Sequence, residues 1–141
     1  MKEVDSPKTI MGHRVVQDIE EVLECMVKGE TVCRYESGMS MHPILRHQEY
    51  AKLIPVKSKD EIKVGDAVFC KLGDYYMTHM VTAISDCGFD NEKWFQIGST
   101  GGEIYGWTKE VYAIARGTDY FQKDTYRVNQ WWKKLAKGLP N

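Results

Sequence analysis

Apolar residues recur at helical spacing in one stretch near the start of the chain. Between His13 and Lys28 they stand mostly three or four positions apart, at Val15, Val16, Ile19, Val22, Leu23, Met26 and Val27. Acidic residues fill the opposite face, and Gly29 follows as a natural helix stop. The pattern predicts an amphipathic α-helix over residues 13–28.

Beyond Gly29 the pattern changes to short β-branched and aromatic runs separated by turn residues. These runs are Thr31–Arg34, Ala51–Val56, Ala67–Leu72, Tyr75–Ile84, Trp94–Ile97 and Val111–Ala115. The pair Gly73-Asp74, between two such runs, is typical of a hairpin turn. Many short strands at this spacing predict a mainly β core over residues 31–118.

The last part of the chain, residues 122–139, again has helix-compatible spacing. Its apolar positions are Val128, Trp131, Trp132, Leu135 and Leu139, and its basic residues exceed its acidic ones by four. We expect a short basic amphipathic helix. Two alternatives stay open for Trp131, Trp132, Lys133 and Lys134: they pack back onto the domain, or they contact a partner or an anionic membrane surface.

Composition limits the classes of function. The chain has 141 residues, of which 43% are hydrophobic and 28% charged, values of a single ordinary domain over residues 1–141. Nineteen basic and twenty acidic residues give a net charge of −1, which argues against nucleic-acid binding. Apolar runs are too short for a membrane span, and the start of the sequence lacks a secretory pattern, so we expect a cytoplasmic location.

The cysteines indicate neither a zinc site nor a redox pair. The four cysteines, Cys25, Cys33, Cys70 and Cys87, form no CxxC spacing. We expect reduced thiols, most of them buried. His42 and His47 lack a third ligand at suitable spacing, so neither a metal nor another cofactor is predicted.

The segment Ser37–Pro43 is the most informative part of the sequence for chemistry. It places Ser40 between two methionines and close to Gly38, where the absence of a side chain allows a substrate backbone to approach. A nucleophilic serine needs such an approach, so that a carbonyl can reach main-chain N–H donors. Ser-Gly-rich segments are usually plain turns, so the segment alone favours a turn over a catalytic serine.

Two sequence boxes together resemble a known family. Ser37–Met41 looks like the serine box of LexA-type self-cleaving repressors, and Ser40–Pro43 is similar to the Ser-Met-x-Pro box of type I signal peptidases. The Gly65-Asp66 strand and the hairpin through Tyr75–Val81 resemble the segment that delivers the general base in both groups. The resemblance covers residues 31–117 and implies a LexA/signal-peptidase-like coiled β domain, with helices at both ends. Small domains of this kind are frequent in phage and mobile elements, which implies a regulatory role.

The resemblance also implies a catalytic dyad. Ser40 takes the position of the nucleophile that attacks an amide carbonyl, and His79 stands where bacterial members carry a lysine. Signal peptidases of the endoplasmic-reticulum type are similar in using histidine there. A histidine with an ordinary pKa near 6.5 is largely neutral at pH 7 and can accept the serine proton. By the same analogy, Gly38 and the backbone N–H groups of Met39 and Ser40 form the oxyanion hole. The substrate would bind as an extended strand beside the hairpin.

The sequence departs from the family pattern in two places. Histidine-type members orient the imidazole with an Asp in a later Gly-Asp box, whereas Ile97–Glu103 contains no Asp. Ser99, Thr100 and Glu103 stay open as substitutes. No Ala-Gly or Cys-Gly bond precedes Ser40, so self-cleavage is not expected. The alternative function is therefore an inactive peptidase-fold module that grips a segment of a partner protein.

Three neighbouring features are interpreted as structural. Asp66 is expected to stabilise a turn rather than serve as a catalytic acid. Residues 98–102 are expected to connect strands, because the Lys and helix of a phosphate-binding loop are missing. Gly106–Glu110 is expected to complete that loop, with the Trp107 indole packed against the site.

Overall fold

The computed structural model describes residues 7–36 and 49–118. Its one α-helix in these ranges is α1 (Ile19–Val27), and a 3₁₀ turn spans Lys59–Glu61. The strands are β1 (Thr9–Ile10), β2 (His13–Arg14), β3 (Val32–Glu36), β4 (Glu49–Pro55), β5 (Ala67–Leu72), β6 (Tyr75–Ser85), β7 (Trp94–Gly98), β8 (Ile104–Thr108) and β9 (Val111–Gly117). The prediction of a mainly β protein is confirmed.

Seven strands form one antiparallel sheet in the order β3-β4-β9-β5-β6-β7-β8, and β1 pairs with β2 separately. All seven lie inside the predicted interval 31–118. The Gly73-Asp74 hairpin is confirmed, because Leu72 pairs with Tyr75 across it and Gly73 has a φ of +60°. The sheet also curls, since the Thr108 hydroxyl in β8 donates to the Lys71 carbonyl in β5 at 2.6 Å.

The core lies on both faces of β5, because side chains alternate across a strand. Ala67 and Phe69 belong to one hydrophobic cluster, whereas Val68 and Cys70 belong to a second. Helix α1 covers the first cluster. The second cluster is made largely by neighbouring strands, through Ile62, Val68, Cys70, Val81, Phe95, Ile97 and Val111. Burial on both faces therefore fixes β5 and its partner β6 at the centre of the fold.

The helix begins later than the apolar pattern indicates. The predicted start at His13 is wrong: α1 begins at Ile19, and its N-cap is Asp18, whose carboxylate accepts the Glu21 N–H. Residues before Asp18 use their backbone elsewhere, since His13 pairs with Ile10 and the Val16 N–H donates to the Cys33 carbonyl. The N-cap and these pairings outweigh the helical spacing of the preceding valines.

Asp18→Ala is expected to lower the free energy of unfolding by about 1 kcal/mol, because it leaves an N-terminal N–H of α1 without its acceptor. Asp18→Asn keeps a capping oxygen and should lose only a few tenths of that. Urea unfolding of both variants measures the difference. Equal losses for Ala and Asn would contradict a capping role.

Strand β8 corrects the expectation of a loop through Gly106–Glu110. In the structure Ile104–Thr108 pairs with β7, and Gly106 adopts a φ of +148° within this strand.

The prediction of free thiols agrees with the structure: Cys25, Cys33 and Cys70 are buried, Cys87 is exposed and none forms a disulfide. Among the described residues, no helix has the length and apolar character needed to cross a membrane. The predicted helix over 122–139, with Trp131, Trp132, Lys133 and Lys134, lies outside the described residues.

Candidate functional site

The structure describes His79 but not its predicted partner. Ser40, with Gly38 and Met39, belongs to residues 37–48, which lie outside the described ranges, as do His42 and His47. The described strands nevertheless frame this segment, because Glu36 at the end of β3 pairs with Glu49 at the start of β4. Both ends of the segment that carries Ser40 are thus anchored side by side.

The end of β3 lies close to the strand pair that carries His79. The Arg34 guanidinium carbon is 6.0 Å from the centre of the Phe69 ring, although β4 and β9 separate β3 from β5 in the sheet. Phe69 pairs with Thr78, the residue before His79. Arg34 is itself held by an ion pair with Glu36 at 2.5 Å. The contact lies on the opposite face of the β5–β6 pair from His79, because side chains alternate along β5 and His79 pairs with Val68 rather than with Phe69.

His79 lies on a central strand, among apolar neighbours. It pairs with Val68, which is completely buried, and Val81 two positions along β6 is also completely buried. Its half-buried imidazole contacts the Tyr105 ring, with ring centroids 4.8 Å apart and planes inclined by 51°. The packing around β5 and β6 holds the imidazole at a definite position in the sheet.

Burial lowers the pKa of His79, because the imidazolium is less well solvated than in water; the carboxylate of Glu103 opposes this and favours the charged form. The burial effect is the larger of the two. The imidazole is thus neutral at pH 7 and can accept a proton, while an acidic side chain stands near enough to stabilise the imidazolium that forms.

The His79 pKa can be followed directly by its imidazole proton resonances in an NMR titration. We expect a pKa below the ordinary 6.5. Glu103→Gln should lower the pKa further, because it removes the charge that favours protonation. Glu20→Gln, an exposed change on α1, should leave the pKa unaltered. A pKa above 6.5 in the wild type, or no response to Glu103→Gln, would contradict this electrostatic picture.

The connection between β7 and β8 is shaped by Ser99, one of the three residues left open as the third member of the site. The Ser99 side chain is only 4% exposed, and its Oγ accepts the N–H groups of Gly101 and Glu103, each at 3.2 Å. The Ser99 N–H in turn donates to the Glu103 carbonyl. Ser99 therefore stabilises the loop conformation. Among the described residues, Glu103 is the acid whose charge opposes the lowering of the His79 pKa. The interpretation of residues 98–102 as a strand connection agrees with the structure.

Asp66 has the structural role expected of it. Its carboxylate accepts the Lys63 N–H at 2.8 Å, and its N–H donates to the Lys63 carbonyl. The same turn is tied to β6, because the Gly65 N–H donates to the Val81 carbonyl and the Val81 N–H to the Asp66 carbonyl. The turn that Asp66 stabilises is thus hydrogen-bonded to β6 at Val81, two positions beyond His79.

Tyr105 was missed by the sequence analysis. The expected neighbour of the site is Trp107, but Trp107 borders the cavity that Phe89 and Trp94 also line, and the ring that contacts His79 is Tyr105. The available signal was the alternation of Ile104, Gly106 and Thr108 with two aromatic residues, which is typical of a strand. Gly101 and Gly102 stand just before this strand, and paired glycines are typical of a loop, so the sequence there favours a loop.

Metal binding was not predicted, and within residues 7–36 and 49–118 no group of three or more His, Cys, Asp or Glu side chains could hold a metal ion. Comparisons of the chain with protein-family models, with curated proteins and with solved structures give no match.

Proposed function

We propose that this chain is a serine peptidase-like protein that hydrolyses an amide bond in a protein or peptide, with Ser40 as nucleophile and His79 as general base. The observation that carries the proposal is the state of His79. Its imidazole is half-buried on a central strand, its pKa is lowered by burial, and Tyr105 and Glu103 flank it. A general base at neutral pH must be unprotonated, and burial favours that state of the imidazole.

The path of the chain limits how far Ser40 can lie from the end of β3. Ser40 follows Glu36 by four residues, and four residues of extended chain span at most about 14 Å. The Arg34 side chain of β3 lies over Phe69, whose side chain points to the opposite face of the β5–β6 pair from His79. The proposed dyad therefore requires the segment after Glu36 to reach the face of the β5–β6 pair on which His79 lies.

In the proposed mechanism, Ser40 Oγ attacks the substrate carbonyl carbon while the His79 imidazole takes its proton. The oxyanion accepts hydrogen bonds from the backbone N–H groups of Met39 and Ser40, each worth roughly 3 kcal/mol in the transition state. The imidazolium then protonates the leaving amine as the C–N bond breaks, and the Glu103 carboxylate stabilises that imidazolium. Water, activated by His79, hydrolyses the ester to release the acid and regenerate Ser40.

Substrate in this proposal binds as an extended strand near β8. This strand is terminal in the sheet, and it carries the ring that contacts His79. The end of β8 is closed against β5 by the Thr108–Lys71 hydrogen bond, so an extended peptide would pair with the outer backbone groups at the start of the strand. Ile104 and Tyr105, which are 52% and 39% exposed, provide apolar contacts for the peptide side chains.

The same exposed positions support the second candidate, a peptidase-fold module that binds a partner segment without turnover. Ile104, Tyr105 and Trp107 place apolar surface along one terminal strand, which suits strand addition whether or not a bond is cut. The absence of an Asp from the Ile97–Glu103 box favours this candidate over an efficient enzyme.

Cleavage of an unfolded protein substrate, followed by mass spectrometry of the products, distinguishes the two candidates. The wild type should cut at defined sites, and Ser40→Ala should reduce the rate at least a thousandfold, to the order expected for loss of a nucleophile. Ser37→Ala is the matched control in the same segment and should keep most of the activity. Product-free binding by both the wild type and Ser40→Ala would contradict hydrolysis and support the binding module.

A further inference from the structure

The loop between β6 and β7, residues 86–93, presents an unusually exposed aromatic side chain. Phe89 is 94% exposed, and its ring lies beside the Trp94 ring, with centroids 5.7 Å apart. Trp107 from β8 is 43% exposed and borders the same space. Together these rings line an open, almost wholly apolar cavity of about 300 Å³, which we name the Phe89 groove; its wall residues are Ser85, Gly88, Phe89, Trp94 and Trp107.

Specific hydrogen bonds hold the loop that carries Phe89. The Gly88 N–H donates to the Glu92 carbonyl, the Asn91 N–H donates to the Gly88 carbonyl, and Asn91 adopts a φ of +61°. A Cβ on Gly88 would lie 2.4 Å from Trp94 Cδ1, so glycine is required for the loop to close on the indole. The exposure of Phe89 is thus fixed by a closed loop.

Two ion-pair clusters, each with more carboxylates than ammonium groups, involve residues of the loop that carries Phe89. Asp90 accepts the Trp94 indole N–H at 2.9 Å and pairs with Lys109, which also pairs with Glu92. On the neighbouring side, Lys93 Nζ lies 2.8 Å from Asp60 and 3.4 Å from Asp86. Four carboxylates therefore share two ammonium groups, and the side chains of Asp60 and Asp86 are each 84% exposed. The two clusters together thus carry a net charge of −2 next to the apolar loop.

We propose that the Phe89 groove binds a basic peptide segment of another protein, with an aliphatic or aromatic anchor against Phe89, Trp94 and Trp107 and flanking Lys or Arg side chains facing the carboxylates. Apolar anchors gain most from aromatic pockets, and complementary charge at the rim adds specificity and speeds association. The same carboxylates repel the phosphates of a nucleic acid or of an anionic membrane, so a basic peptide fits better than either.

The proposal does not depend on hydrolysis. Trp107, which borders the groove, and Tyr105, which contacts His79, both lie on β8. A segment bound in the groove would therefore lie near the proposed active site but outside it. Binding at the groove can be measured in Ser40→Ala, in which the proposed chemistry is absent.

Fluorescence anisotropy with labelled synthetic peptides tests the proposal on the full chain. The first peptide alternates Lys with Leu and a central Trp, and the second replaces each Lys by Glu. We expect saturable binding of the first and at least tenfold weaker binding of the second, with affinity falling as salt rises. Phe89→Ala and Asp86→Lys should each weaken the first peptide about tenfold.

The matched controls are Tyr75→Ala and Asp74→Lys, at the opposite end of β6 and also exposed, and both should bind like the wild type. Circular dichroism confirms that each variant folds, as expected for changes at exposed positions. Equal binding of the two peptides would overturn the proposal, as would equal effects of the groove and control variants. Binding of phosphatidylserine vesicles or of oligonucleotides in preference to the basic peptide would overturn it too.

Discussion

Replacing His79 with alanine is expected to lower kcat/KM for peptide hydrolysis at least a thousandfold, an effect of about 4 kcal/mol on the transition state. The change removes the group that accepts the Ser40 proton, and without a base a serine hydroxyl is a weak nucleophile at pH 7. The packing should tolerate the loss, because His79 is half-buried while its neighbours Val68 and Val81 remain in place. Steady-state kinetics on the peptide products of the wild-type reaction measure this effect.

Two comparisons separate a catalytic from a structural role of His79. His79→Lys should retain part of the activity with a more alkaline pH optimum, because a lysine, even with its pKa lowered by burial, loses its proton later than an imidazole. His79→Gln keeps a polar side chain of similar size but cannot act as the base, so it should be as inactive as His79→Ala. A rate within about threefold of the wild type in His79→Ala would show that the dyad is wrong.

The pH dependence of the wild type has a definite direction. The burial that lowers the His79 pKa keeps the base neutral, so the rate should rise through that lowered pKa and level off at a lower pH than an imidazole of ordinary pKa would give. The same shift makes the unfolded chain bind more protons than the folded chain between the two pKa values. His79 therefore costs stability as the pH falls from about 6.5 towards the folded-state pKa.

Gly98→Ala is expected to lower the free energy of unfolding by about 3 kcal/mol, the upper range for overpacking. A Cβ at this position would lie 2.3 Å from the Glu103 carbonyl oxygen and 3.1 Å from Thr82 Cγ2. The first of these is a backbone atom in the connection that carries Glu103 towards His79, so the loop must move. We therefore expect both a lower unfolding midpoint and a smaller effect of Glu103 on the His79 pKa.

Gly101→Ala is the matched control in the same loop. A Cβ there would meet only Ser99 Oγ at 3.6 Å, an ordinary contact. It should change the free energy of unfolding by less than about 0.5 kcal/mol. Chemical denaturation of the two variants checks the difference. If Gly98→Ala were as stable as Gly101→Ala, the close approach of β7 to the Glu103 backbone would not constrain the fold.

Much of the central sheet is predictable because its strands follow local rules. The predicted strand Ala67–Leu72 has the same bounds as β5. The turn residues Gly73-Asp74 predict the hairpin that connects it to β6. The start of α1 was misplaced because pairing of Val16 with Cys33 is a tertiary interaction that apolar spacing does not reveal. Strand β8 was missed because glycine in a strand interior is typical of loops, and its pairing with β7 compensates for Gly106 only in the folded sheet.

The candidate site was predictable in part. Family resemblance pointed to His79, and the structure adds its burial, the Tyr105 ring and the nearby Glu103. Local sequence predicts neither Tyr105 nor Glu103 as a neighbour of His79. Both come near the imidazole only because the loop after Gly98 reverses the chain and β8 pairs with β7. The Phe89 groove was not predicted either, since it joins residues of β6, β7, β8 and a loop whose closure depends on Gly88.

Intact-protein mass spectrometry after reaction with a fluorophosphonate tests the Ser40–His79 dyad most directly, because the reagent modifies a serine only when a base activates it. The account predicts one adduct on the wild type, mapped to Ser40 by fragmentation, no adduct on Ser40→Ala and very slow labelling of His79→Ala. An unlabelled wild type, or equal labelling of the wild type and His79→Ala, would contradict it.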